Sequence, residues 1–113
     1  MARVIKQIIE PQFLNTSIAT LYTVPENRTT VITRISFTNT SGNDRFVNLW
    51  LVPNGGSASN ENKIVDNIFV AVNETFSPSD VEGQAIPAES TIQGQAQAAT
   101  SISIVGSGTE VTN

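Results

Sequence analysis

Residues 45–56 read RFVNLWLVPNGG. At a period of two residues, Val47, Leu49 and Leu51 fall on one face, and Phe46, Asn48, Trp50 and Val52 fall on the other. Leucine, valine and aromatic side chains in this alternation mark a β-strand, ended by Pro53 and the Gly55-Gly56 pair. An antiparallel strand in a small domain needs only one apolar face. The second face therefore needs a cover. Reversing the assignment does not remove the need, because three aliphatic residues then lie outside in place of two aromatics. Large aromatics bury roughly 150–250 Å² each, which at about 25 cal/mol per Å² makes hiding two of them worth up to ~10 kcal/mol before ordering costs. The net stability of a whole domain is only about 5–15 kcal/mol. A loop or the N-terminal segment of the same chain is one possible cover, and a second chain is the other. A one-domain sandwich has few spare segments, which favours the second chain.

The neighbouring segments extend the β reading in both directions. Ile18–Val24 alternates weakly and stops at Pro25, where VPEN reads as a turn with proline at its second position. In Thr29–Thr38, Val31, Thr33, Ile35 and Phe37 share the predicted inner face, opposite Ile32, Arg34, Ser36 and Thr38. The turn formers NTSGND, residues 39–44, predict a hairpin into the strand that opened this section. Lys63–Val72 is a further strand, dense in Ile, Val and Phe, and Glu74–Phe76 a short one. Residues 73–84 otherwise read as loop, and Ile86–Glu89 as a type I turn with Pro87 second. Thr91–Gln97 sets Thr91, Gln93, Gln95 and Gln97 against Ile92, Gly94, Ala96 and Ala98. Ile102 and Ile104 point inward from Thr100–Val105, and a last strand, Thr109–Thr112, follows the break at Gly106-Ser107-Gly108. Seven to eight short strands with turn signals about every ten residues predict an all-β, antiparallel, jelly-roll-like β-sandwich.

Residues 1–15 differ. Val4, Ile5, Ile8 and Ile9 have a brief helical spacing that Pro11 cuts short. An apolar segment of this kind either adds a strand to its own sheet or docks on another chain. The predicted organisation is an N-terminal arm, 1–15, followed by one sandwich domain, 16–113.

The composition narrows the function. Only 14% of the 113 residues are charged, well below the roughly 25% of typical domains, and Ser, Thr, Asn and Gln fill the gap. The net charge of −4 and the six scattered Lys and Arg residues argue against a nucleic-acid partner. No apolar run approaches the ~20 residues of a membrane-crossing helix, and the N-terminal sequence lacks a signal-peptide pattern, so no membrane partner and no export are expected. Histidine and cysteine are both absent. That removes the commonest general base, the usual zinc ligands and the Ser-His and Cys-His nucleophile pairs. The carboxylates are spread singly through turns and polar faces, and the Gly55-Gly56 pair opens no helix that would bind phosphate. No catalytic residue, metal or cofactor is expected. The candidate functional residues are instead interface residues: Val4, Ile5, Ile8 and Ile9 of the arm, Phe46 and Trp50 of the second strand face, and Gln93 and Gln95 of an amide ladder.

The run LYTVPENRTTVITRISFTNTSGNDRFVNLWLVPNGG (21–56), with NKIVDNIFVAVNETF (62–76) and IPAESTIQGQAQAATSISIVGSGTEVT (86–112), resembles small structural β-sandwich proteins of tailed-bacteriophage virions. The resemblance covers Ile18–Thr112 and leaves the N-terminal arm unmatched. It implies a head decoration (cement) protein that binds the major capsid protein from outside and associates with itself as a homodimer or homotrimer. Its implied location is the virion's capsid surface, after assembly in the host cytoplasm. A tail or neck component is the alternative within the virion. A carbohydrate-binding module, with Trp50 as its stacking platform beside Asn48, is the alternative outside it.

Overall fold

The computed structural model describes residues 2–113 and consists of two antiparallel sheets packed face to face. The first sheet runs β1 (Arg3–Phe13), β9 (Ile102–Thr112), β3 (Arg28–Asn39) and β6 (Thr75–Phe76), with β7 (Ala85–Ile86) also paired to β3. The second runs β2 (Ala19–Thr23), β8 (Thr91–Ala96), β4 (Arg45–Val52) and β5 (Lys63–Val70). A 3-10 turn, Ser79–Val81, packs beside β3. With the two-residue β7 set aside, every connection except β4–β5 crosses from one sheet to the other. That is jelly-roll topology, and the predicted all-β sandwich stands.

The crossings correct two local expectations. The 39–44 segment does not close a hairpin, because β3 and β4 lie in different sheets. It makes a corner held by buried Asn39, whose side-chain amide donates to the Asn43 and Val70 carbonyls, both at 2.8 Å. Its Oδ1 accepts the Ser41 N–H at 2.9 Å, the self-contained bonding that makes asparagine a turn former. Both proline turns also sit one residue later than expected. Their closing bonds run from Arg28 N to Pro25 O and from Ser90 N to Pro87 O, so proline comes first. Asn27 and Glu89 take the positive φ, 62° and 65°.

Two strands differ in their inner faces. A bulge between Ile32 and Arg34 puts one extra residue into β3. Ile32, Ile35 and Phe37 are thus buried, while Val31 turns outward, against the even alternation expected. The expected break at Gly106-Ser107-Gly108 is absent, and β9 runs unbroken. A Cβ on Gly106 would stand 3.2 Å from Ile9 Cδ1, and one on Gly108 would stand 2.8 Å from the Val31 carbonyl oxygen. These glycines make room for β1 and β3 to close over β9.

Residues 1–15 take the first of their two courses. Arg3–Phe13 pairs with β9 from Arg3↔Val111 to Phe13↔Ser103, as the edge of its own sheet. Ile8 and Ile9 are core residues beside Ile32, Ile35 and Ile104. Met1, the remaining residue of that stretch before Ala2, lies outside the described residues.

Candidate interaction surfaces

The double-faced strand β4 finds its cover within the chain. Val47 and Leu49 enter the core from the inner face. On the outer face Trp50 is only 5% exposed, so of the two covers considered it has the one from its own chain, and the preference for a second chain is corrected. Its register partners are Lys63 on β5 and Gln93 on β8, and Lys63 Nζ lies 5.2 Å from the ring centroid. Asp66 holds that ammonium at 2.7 Å. The lysine stem and the glutamine therefore roof the indole, a use of long polar side chains that the strand's own pattern does not reveal. With the ring enclosed, Trp50 offers no platform for a sugar.

The amide ladder is similarly occupied. Gln95 Oε1 accepts Asn48 Nδ2 at 3.1 Å and its Nε2 donates to the Thr16 carbonyl at 2.8 Å. Gln93 Nε2 donates to Thr91 Oγ1 at 3.0 Å. Asn48, itself buried, accepts the Asn67 N–H at 2.6 Å and so pins the kink where Asn67 takes a φ of 48°.

Of the predicted interface residues, Ile8, Ile9 and Trp50 are thus interior, and Phe46, Gln93 and Gln95 are half-buried. Val4 and Ile5 are exposed, Ile5 by 81%. Sequence reasoning missed Phe69, 63% exposed and edge-on to Phe46 at 6.1 Å, and its exposed neighbour Ile68. The available signal was the density of apolar residues in Lys63–Val72, the same excess that drew attention to β4.

These exposed groups lie on two opposite sides. β1 and β2 sit together at one lateral edge, and β3, β5 and β6 meet at the other. A cleft of about 340 Å³ opens at the β5 side, with Ile64, Ile68 and Phe76 among its apolar lining and Asp66 and Asp80 among its acids. At the β1 side, Lys6 and Arg28 share the one fully buried carboxylate, Glu110, at 3.3 and 2.7 Å. Tyr22 O–H donates to the same carboxylate, and Thr30 lies 2.8 Å behind it. Burial pushes Glu110 up, but the hydrogen bonds from Tyr22, Arg28 and Lys6 outweigh it and hold the group below the usual carboxylate range. Burial and the bond to Glu110 push Tyr22 up to about 12. The cluster ties β1, β3 and β9 to β2 across the sandwich, a structural role for charge. Among the described residues, no three His, Cys, Asp or Glu side chains gather as a metal site.

No family model matches the chain, and no curated protein matches it in sequence. Its fold is similar to that of a chain from Bacillus endospore appendages, described as disulfide-linked pili. That match has 13% identity and a TM-score of 0.59, covering 97% of this chain and 88% of the other. It is also similar to a chain of infectious bursal disease virus (Gx strain), at 11% identity and a TM-score of 0.56. There 99% of this chain overlays 33% of the viral one. At these identities the likeness is one of fold: an all-β, two-sheet sandwich.

Proposed function

We propose that the chain is a non-enzymatic structural protein of a bacteriophage virion, a capsid decoration protein that binds the major capsid protein shell as a homo-oligomer. The observation that carries this reading is the placement of its exposed apolar side chains. Val4 and Ile5 mark one edge of the sandwich and Ile68 and Phe69 the opposite one, where neighbours in an assembly would meet them. The sequence pattern over Ile18–Thr112 supports the virion setting. The fold likeness to a viral chain and to a pilus chain supports an assembling role. Disulfide linkage of the kind named for the pilus is closed to this chain, which has no cysteine. Repetition over a symmetric shell multiplies weak contacts into firm attachment. Preference for the expanded shell would stabilise that state by mass action.

Co-sedimentation of purified protein with expanded and unexpanded capsid shells tests the reading. Saturable binding, stronger to expanded shells, is expected. Absence of the protein from both pellets, or its location by cryo-electron microscopy in the tail or neck, overturns the decoration assignment.

A further inference from the structure

Sheet edges invite pairing with other chains, and most edges here are blunted. β2 carries a register shift between Thr20 and Tyr22, β5 two shifts opposite Val47–Trp50, and β6 is only two residues long. The second half of β1 is interrupted at Ile9 and again before Gln12, around Pro11. Its first half is different. From Arg3↔Val111 to Gln7↔Ser107 the register is unbroken, and every residue of that stretch is exposed. Among the described strands this is the one regular edge stretch without a bulge, guarded only by the charges of Arg3 and Lys6, and it carries Val4 and Ile5.

Charge selects its partner. Among the described residues Arg3 has no ion pair, and Lys6 and Arg28 share a single carboxylate, so the Arg3–Gln7 stretch itself, which has no acid of its own, presents positive charge. Pairing the stretch with its own copy about Ile5 would set each Arg3 opposite Gln7 and bring the two Lys6 side chains, like charges, onto the close diagonal of the ladder. The cleft beside β5, whose lining holds Asp66 and Asp80 and neither lysine nor arginine, is the complement. Asp80 has no ion pair, Glu74 precedes β6, and the cleft beside them exposes Ile68 over an apolar lining.

We propose that Arg3–Gln7 of one copy docks on the acidic, apolar-lined cleft between β5 and the 3-10 turn of a second copy. The two surfaces lie on opposite sides of one molecule, so the contact is head-to-tail. It closes into a ring where the rotation permits and otherwise extends as a filament. Each copy buries the edge of the next, and opposite charges set the register. The inference concerns the protein alone in solution, so it goes beyond the shell-binding reading.

Light scattering on size-exclusion fractions, with negative-stain images, tests it. The wild type is expected to form species larger than a dimer at low salt, and to dissociate at about 1 M salt, where the screening length falls to ~3 Å. Arg3→Asp and Asp80→Arg are each expected to weaken association on the order of tenfold or more while leaving the circular dichroism of the fold unchanged. Mixing the two variants is expected to restore association, because each retains one intact surface. Cysteine cross-linking gives a second measurement in a chain that has no thiol of its own. Ile5→Cys with Ile68→Cys should oxidise into a ladder of covalent oligomers, and neither single variant should link. A wild type that stays monomeric, variants that assemble normally, a mixture that stays apart, or a covalent dimer from Ile5→Cys alone would each overturn the proposal. A monomer that still binds shells defeats this inference and spares the decoration reading. Head-to-tail oligomers that ignore shells do the reverse.

Discussion

Individual side chains show most plainly what sequence could not foretell. Glu110 was one of ten acids, all read as solvated, yet its side chain is fully buried between the sheets. Its hydrogen-bond partners Tyr22 and Arg28 lie 88 and 82 positions away, a distance no local pattern spans. Glu110→Gln should lower the unfolding free energy by about 2–3 kcal/mol, the range for a charged hydrogen-bond network, with Lys6 and Arg28 partly rescued by water. Urea titration measures it. The same cluster sets the pH profile. Glu110 ionises more readily folded than unfolded, so its contribution is whole above the ordinary carboxylate value of 4.5 and is lost as pH falls through the lower folded one. Tyr22 ionises less readily folded, so stability also declines as pH rises from 10.0 toward about 12. Melting temperature against pH should therefore show a plateau that falls at both ends. Trp50→Ala should cost about 3–5 kcal/mol in the same urea assay and leave self-association intact, since the ring is interior.

At the level of strands, composition located the elements and misjudged their faces. Arg45–Val52 was legible to the residue, and Thr91–Ala96 with its buried Ile92, Gly94 and Ala96 nearly so. β3 was legible only beyond its bulge, which adds a residue without any mark in composition: Ile35 and Phe37 face inward as expected, but before it Ile32 is buried in place of Val31 and Thr33. β9 was split on paper because glycine reads as punctuation. Here it is spacing, set where Ile8, Ile9 and Val31 press on the strand. Gly108→Ala should destabilise by about 1–3 kcal/mol, since the obstructing atom is backbone, whereas Gly42→Ala, with nothing within 4 Å, should be nearly neutral. Thermal melts separate the two. Removal of residues 1–13 should leave an insoluble or unfolded chain rather than a trimmed sandwich. It strips Ile8 and Ile9 from the core and bares the long edge of β9, and one-dimensional NMR would show the loss of dispersed signals.

For the molecule as a whole, the fold class was readable because turn signals recur at short intervals, but the neighbour of each strand was not. Local reasoning pairs consecutive strands, and this chain pairs only β4 with β5 that way. The surfaces were half legible for the same reason. Val4 and Ile5 were named from sequence, while Trp50 was assigned to an interface because Lys63 and Gln93 reach it only once β5 and β8 have arrived. So much distant pairing should place refolding in the millisecond-to-second range, measurable by stopped-flow fluorescence of Trp50. The union of the first strand with the last has a further cost during synthesis. A ribosome adding about 5–20 residues per second delivers β9 on the order of ten seconds after β1. Through that interval the aliphatic leader has no native berth, and siblings translated side by side on one message are free to trade it before either has finished.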